Sequence, residues 1–441
     1  MATVGSAVGL GTIWRFPAVA QSGGGSAFLI IYIACIFILG IPVMLSEFAV
    51  GRAGRTDAVG SFKRLSPGKK WYFVGSVALF TSFLISIFYM VVAGWTLEYL
   101  LQAVSGNLFD GIGTSDSQMT AAFNTRMNEF ITTDWPPLIN TVLIIGINIA
   151  ILLGGVKKGI ERMANIAMPL LFLLMVILMC VTLSLPGASG GVDYFLSPDF
   201  SKVTPSVFIS ALGQALFSLS LGMGILITYS SYYPDNTNLT KTSAIVSSLT
   251  LLIAIMMGLI IFPAVTAFGI ADHEMAGTTL VFVTLPEVFA YMPGSQLWAI
   301  VFFVLLLLAA LTSTVSIAEP SIAYVNDHFH TGRRRATLIV LLPMIVLSSV
   351  CSLSFGSLSH LTIREMNIFE TLDYFTNNIL LPLVAIAGCV YVGWFAPKNL
   401  MKDQLTNYGQ LLNSWAPIVT MILRFFAPAA ILCIMIASFV N

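Results

Sequence analysis

The stretch Gly5-Ser6-Ala7-Val8-Gly9-Leu10-Gly11-Thr12-Ile13-Trp14-Arg15-Phe16-Pro17 decides how the whole chain is read. It is apolar, yet Gly9 and Gly11 flank a single residue, and an arginine and a proline follow. Each glycine weakens a helix by about 1 kcal/mol relative to alanine. An arginine inside a bilayer costs at least about 2.5 kcal/mol unless it pairs or meets water. A smooth membrane helix with an idle arginine is therefore excluded. The residues predict a helix broken near mid-membrane, its freed backbone groups lining a binding cavity.

Composition agrees that lipid is the solvent. The 441 residues are 57% hydrophobic and 9% charged, with mean hydropathy +0.91, whereas ordinary soluble domains carry about 25% charged residues. A formal net charge of zero points to no nucleic-acid or polyanion partner. Cys35, Cys180, Cys351, Cys389 and Cys433 all lie in apolar runs without paired spacing. They read as core thiols rather than disulfides or metal ligands. The first stretch has no basic n-region, so no cleavable signal is expected. An enzyme is not expected: no nucleophile–base set, metal cluster or phosphate loop is visible, and Gly9-x-Gly11 lacks the strand a nucleotide fingerprint needs.

Eleven apolar runs approach the span length of about 20 residues. In order they are Ala2–Val19, Ala27–Val50, Trp71–Val104, Leu138–Leu153, Met163–Leu185, Pro205–Tyr229, Thr242–Phe268, Leu297–Val325, Ala336–Leu353, Phe369–Phe395 and Leu412–Val440. With the chain start in the cytoplasm, the inner loops collect Arg52, Arg55, Lys63, Arg64, Lys69, Lys70, Lys157, Lys158, Arg162, Lys241, Arg333, Arg334, Arg335, Lys398 and Lys402, fifteen of the twenty basic residues. The outer loops hold only Arg126, Lys202 and Arg364. The bias predicts a multi-pass protein of the cell membrane, N-terminus cytoplasmic and C-terminus outside. Outside, Gly106–Asp134 is polar and acidic, and Thr278–Tyr291 is apolar enough to dip back as a helical lid.

The chain also echoes itself. Ala7-Val8-Gly9-Leu10-Gly11 is matched by Leu219-Ser220-Leu221-Gly222-Met223-Gly224 in span six, with one offset for both glycine pairs. Five spans separate the copies, so the second runs opposite to the first. Two glycine-interrupted spans at matching places point to an inverted-repeat transporter with its site at the breaks, although small-residue pairs also serve close helix packing.

These residues resemble the neurotransmitter:sodium symporter family, specifically its eleven-span bacterial amino-acid transporters. The resemblance covers nearly the whole chain. It rests on Gly5–Pro17 with Gly23-Gly24-Gly25, on Glu47-Phe48-Ala49-Val50-Gly51-Arg52, and on Gly213-Gln214-Ala215-Leu216-Phe217-Ser218-Leu219-Ser220-Leu221-Gly222. Leu311-Thr312-Ser313 and the spaced pair Gly159 and Pro169 in span five add to it. The family implies an all-α membrane fold, one transporter domain over 1–441. Its inverted repeats would occupy 1–186 (spans one to five) and 205–395 (spans six to ten), with an added helix at 411–441 and spans one and six broken at mid-membrane. It also implies alternating access driven by sodium.

A sodium ion takes several hard oxygen ligands, as other hard cations do. The resemblance implies a second sodium site from the carbonyls of Gly5, Val8 and Ala309 with the hydroxyls of Thr312 and Ser313. At the first sodium site the sequence departs from the pattern. Thr12 and Thr250 stand where the family usually places asparagine, beside Ala7 and Ser218. Tyr32, Gln214 and Ser218 match a family chloride site, but Ala254 takes the position of its key serine or acid. Neither chloride nor its substitute carboxylate is expected.

For the substrate, free amides at Leu10 and Gly11 open a half-helix and suit a carboxylate, and Tyr89 resembles the family's carboxylate-binding tyrosine. Carbonyls around Phe217 and Ser220, with Ala7 and Ser218 near them, would take the amino group. Gly9 stands where amine transporters carry aspartate, which favours amino acids. Ile85, Phe217, Met223, Ser313 and Ile317 would line an apolar side-chain end. The outer gate is expected from Arg15 and Asp373, with Gln214 near and Phe217 and Tyr89 as an aromatic lid; Glu370 lies one turn before Asp373. Tyr232 and Asp327 resemble the inner gate. Glu47 is expected on the amides of the sixth-span break, and Glu319 in an inner polar cluster.

The expected function is sodium-coupled import of a neutral, hydrophobic or aromatic amino acid. A proton-coupled carrier of the same fold is the first alternative, a channel or sensing receptor the second. No protein partner is implied.

Overall fold

The computed structural model describes residues 2–7, 9, 11–112, 116–270, 277–412 and 415–440. Among them every extended element is a helix, and an isolated β-bridge joins Ile363 to Met366. Among the described residues nine helices are long and apolar enough to cross a membrane. They are Ser26–Gly54, Tyr72–Ser105, Trp135–Leu153, Lys158–Leu183, Leu239–Ala267, Ser295–Phe329, Arg333–Leu353, Ile368–Phe395 and Ala416–Ala437. Each falls on an expected span, with ends within about a turn or so of those read from the sequence.

The two spans outside that set are the first and the sixth, and the reason is the break in each. Ala2–Val19 becomes Ala2–Ala7, a wide turn Gly11–Arg15, and Phe16–Ser22. Pro205–Tyr229 becomes Pro205–Ser218 and Ile225–Ser231. No piece alone reaches the length a bilayer requires. The second break uses left-handed backbone, with Gly222 at φ +79° and Gly224 at φ +70°, which glycine adopts without steric cost. Its freed amide at Gly222 donates to Glu47 Oε1 of span two, 2.7 Å away. At the first break, the amides of Thr12 and Ile13 both turn to Gly9 O, 3.0 and 3.2 Å.

Spans three and eight, 34 and 35 residues, pack along each other and form the wall between the breaks. The half-helix Ala2–Ala7 lies on span eight, where a β-carbon on Gly5 would stand 3.5 Å from Thr312 Cβ. Gly159 sits in a wide turn, Val156–Glu161, so close to span four that a β-carbon would come 2.0 Å from Ile151 O. Pro169 lies inside Arg162–Leu183 and leaves one carbonyl of that helix without its usual donor. The segment expected as a lid is helical over Gly277–Tyr291. Its Phe282 ring meets Trp14 edge-on at 6.5 Å, and its buried Glu287 accepts from Thr120 of the outer helix Asp116–Thr132, 2.6 Å.

One expectation is corrected. All five cysteines are unpaired, but Cys180 and Cys433 are exposed rather than core thiols. They lie on the outer surface of the bundle, where Ile38, Leu173 and Val346 are also more than half exposed. Lipid is as apolar as a protein core, so periodicity cannot tell the two faces apart.

Candidate substrate and ion site

Between the two breaks lies a small cavity of about 20 Å³. Ser6, Ala7, Gly9, Gly11 and Thr12 line it from the first break, and Ile85 and Tyr89 from span three. Phe217, Ser218, Ser220 and Met223 come from the second break, Ser313 and Ile317 from span eight. Every expected substrate residue that is described therefore lines one cavity; Leu10 lies outside the described residues. The volume matches one or two waters, so a larger guest needs its flexible linings, Met223 and Phe217, to shift.

The cavity is polar at one side. Ser220 Oγ donates to Ser6 O, 2.9 Å, and so ties one break to the other. Ser313 Oγ is buried and has no hydrogen-bond partner among the described residues, a state that costs about 1–3 kcal/mol unless something else binds it. Close approach explains the first glycines. A β-carbon on Gly9 would stand 2.1 Å from Ser313 Oγ, and one on Gly11 would stand 2.2 Å from Phe217 Cε1.

Of the residues read as ion ligands, Thr12 Oγ1 donates to Ala7 O, 3.2 Å, across the break. Ser218 Oγ accepts from Gln214 Nε2, 3.0 Å, and the same amide donates to Gly11 O at 2.9 Å. Thr250 does not line the cavity; its hydroxyl donates to Val246 O of its own helix at 2.9 Å, on a helix that packs against both halves of the first break. On span eight, Thr312 Oγ1 bonds Ala309 O, 2.9 Å, beside Gly5. Hydroxyl and carbonyl oxygens of span eight thus lie beside the first half-helix, oxygen donors of the type that suits a hard cation. Val8 lies outside the described residues. The Tyr32 hydroxyl is buried and faces Ser218, and Ala254 is buried.

Outside this cavity a second one, about 860 Å³, opens upward. Arg15, Asp373, Tyr89 and Phe217 line it together with Thr278, Thr279 and Val283 of the lid. Arg15 and Asp373 share it without an ion pair between them. The Arg15 guanidinium lies over the Phe217 ring, 4.6 Å from its centroid, and Asp373 accepts from Asn377 Nδ2 at 2.7 Å. Gln214 bonds the first break rather than Arg15. Glu370 closes a capping box with Asn367. Phe217 borders both cavities.

At the expected inner gate, no hydrogen bond joins Tyr232 to Asp327. Tyr232 OH donates to Glu319 Oε1, 3.1 Å, and fully buried Glu319 takes a two-pronged bond from Arg333, 2.5 Å on each prong. Asp327 accepts from Thr56 Oγ1 and the Asp57 amide, both 3.1 Å, and so holds the loop after span two. Arg333, Thr56 and Ser6 were not read as site residues. Arg333 sits in a run of three arginines, and only the fold brings that run back over Glu319.

Two interrupted helices that meet around a buried cavity, within a bundle of membrane-length apolar helices, define a secondary transporter. The model of the sodium:neurotransmitter symporter family matches residues 1–133 and 119–441. An uncharacterised sodium-dependent transporter of Bacillus subtilis is 34% identical over 442 residues, covering 98% of this chain and 94% of its own length. The sodium-dependent dopamine transporter of Bos taurus is 29% identical, over 90% of this chain and 61% of that one. The crystal structure of MhsT in complex with L-phenylalanine superposes with a TM-score of 0.88 at 39% identity, covering 99% of this chain and 97% of that one. The chain belongs to the sodium:neurotransmitter symporter family. It is a multi-pass, sodium-dependent membrane transporter of a small molecule, not an enzyme.

Proposed function

We propose that the chain imports a neutral, hydrophobic or aromatic amino acid with sodium, by alternating access. The observation that carries this reading is the cavity at the paired breaks. It is polar along Ser6, Ser220 and the unpartnered Ser313, apolar along Ile85, Met223 and Ile317, and holds no aspartate where an amine would need one. The carboxylate belongs at Gly11 and Tyr89, the amino group at the carbonyls around Phe217 and Ser220. That MhsT, at 39% identity, was solved with L-phenylalanine supports the substrate class.

The driving sodium sits at Gly5, Val8, Ala309, Thr312 and Ser313. A first site at Ala7, Thr12, Ser218 and Thr250 is weaker, because threonine at Thr12 and Thr250 is shorter than the asparagine the family usually places there. Chloride has no role in this reading. Spans one to five and six to ten form inverted repeats of an eleven-span protein, with the amino end in the cytoplasm. Arg15 and Asp373 close the outside over Phe217. Purified protein in liposomes tests the proposal: a panel of labelled amino acids is offered while sodium and proton gradients are dissipated separately. Uptake of leucine-like or aromatic amino acids that stops only with the sodium gradient is the expected result. Uptake that follows the proton gradient, or an ungated ion conductance, overturns it.

A further inference from the structure

Arg424 is an exposed arginine within the membrane-length helix Ala416–Ala437. Eight residues in, it lies about 12 Å along that helix, where a side chain that faces lipid alone is costly. Its Nε donates to Gly393 O of span ten, 2.7 Å, and its guanidinium lies over the Trp394 ring at 4.8 Å. Trp394 Nε1 answers with a bond to Arg424 O, 3.1 Å. Both helices widen at this crossing, over Tyr391–Phe395 and Ile422–Phe426. Wide turns loosen the backbone ladder and leave carbonyls open to such donors. One edge of the guanidinium is thus anchored to protein. Its two terminal nitrogens take no further bond among the described residues.

Arg424 lines a cleft of about 470 Å³ at the inner-loop end of spans ten and eleven. Lys398 and Lys402 stand on its rim, both exposed and outside any ion pair among the described residues. Pro417, Met421 and Phe425 line its apolar side. No aspartate or glutamate is among the described residues that line it. Trp394 and Trp415, 54% and 62% exposed, flank this level as interfacial tryptophans do.

We propose that this cleft binds an anionic glycerophospholipid, with Arg424, Lys398 and Lys402 on its headgroup phosphate. Three cations gathered without a counter-charge between two membrane helices match such a headgroup. Met421 and Phe425 offer the first part of an acyl chain the contact that a free anion has no use for. Which leaflet supplies the lipid follows from the orientation proposed above; the chemistry of the cleft does not depend on it.

The test is native mass spectrometry of the whole transporter with phosphatidylglycerol or phosphatidylcholine added. Wild type should retain one phosphatidylglycerol that phosphatidylcholine does not replace, and millimolar glycerol phosphate should not displace it. Affinity should fall about fivefold for each basic residue removed, in Arg424→Gln and in Lys398→Gln/Lys402→Gln. The lysine pair is exposed, so that variant keeps its fold even if Arg424→Gln does not. Lys69→Gln/Lys70→Gln removes the same charge from another exposed inner loop and should change nothing. Equal retention by the Lys398/Lys402 variant, equal loss in the Lys69/Lys70 control, or displacement by glycerol phosphate each overturns the proposal.

Discussion

The hydroxyl oxygen of Ser313 lies 2.1 Å from the point where a β-carbon on Gly9 would stand, and the Tyr89 hydroxyl lies 3.0 Å from that same point. Spans three and eight therefore press on the first break from two sides, and only glycine leaves them room. Overpacking of this kind costs about 1–3 kcal/mol, or about fivefold to more than a hundredfold in an equilibrium constant. Gly9→Ala should lower the melting temperature of the detergent-solubilised protein and weaken amino-acid binding in equilibrium dialysis. Unchanged binding would move the substrate away from this cavity.

The oxygens around Thr312 make the second prediction. Thr312→Ala with Ser313→Ala should abolish sodium-driven uptake, because two of the proposed ligands go and neither hydroxyl supports the fold outside its own helix. Uptake that persists would put the driving ion elsewhere.

Thr12 gives a separate test. Its hydroxyl reaches Ala7 O at 3.2 Å, and an amide there would bring a further oxygen across the break. Thr12→Asn should lower the sodium concentration needed for half-maximal uptake. No change would mean that this corner holds no ion in either protein.

Glu319 is fully buried, while the Arg333 side chain is 23% exposed. Removing one partner of such a pair leaves a stranded charge and typically costs about 3–5 kcal/mol. Arg333→Gln should therefore lower the melting temperature of the detergent-solubilised protein clearly. Tyr232→Phe removes a single bond and should lower it less. Equal shifts would mean that the pair and the tyrosine contribute alike.

Arg52 is a buried anchor. Its guanidinium donates to Gln404 Oε1 at 2.6 Å, to Thr237 O at 2.6 Å, to Asn407 Oδ1 at 3.1 Å, and to Gln404 O. Three inner segments hang on one planar fork, which lysine cannot copy. Arg52→Lys should increase proteolytic cutting near Thr237 and Asn407, read as fragment yield over time.

Much of this was legible in the sequence because membrane physics leaves few choices. Gly9, Gly11 and Arg15 mark a break in a segment that otherwise has to be helical. Gly222 and Gly224 mark its echo, although the matched offset conceals unlike backbones: positive φ is found at the second break and not at Gly11 of the first. Family motifs brought Tyr89, Phe217 and Ser313 to one cavity. What stayed hidden depended on direction rather than residue type. Thr250 is a polar group in an apolar span, yet its hydroxyl is satisfied four residues back, an option that composition cannot weigh. Tyr232 has carboxylates at both Glu319 and Asp327 in reach by sequence. Arg333, coming back from span nine, makes Glu319 the charged centre and leaves Asp327 to Thr56. Cys180 and Cys433 look like core residues until the outside of the bundle is drawn.

Phe217 carries one last consequence. Its ring is the floor of the outer cavity, the cover over Gly11 and the face on which Arg15 rests. In the transport cycle proposed above, a guest that enters below displaces that ring, and the ring returns before Arg15 settles over it. Loading and sealing thus become one movement rather than two. A smaller residue there would separate them, and the damage would show first as slippage: sodium would run down its gradient with fewer amino acids carried per ion, even where maximal uptake looked normal.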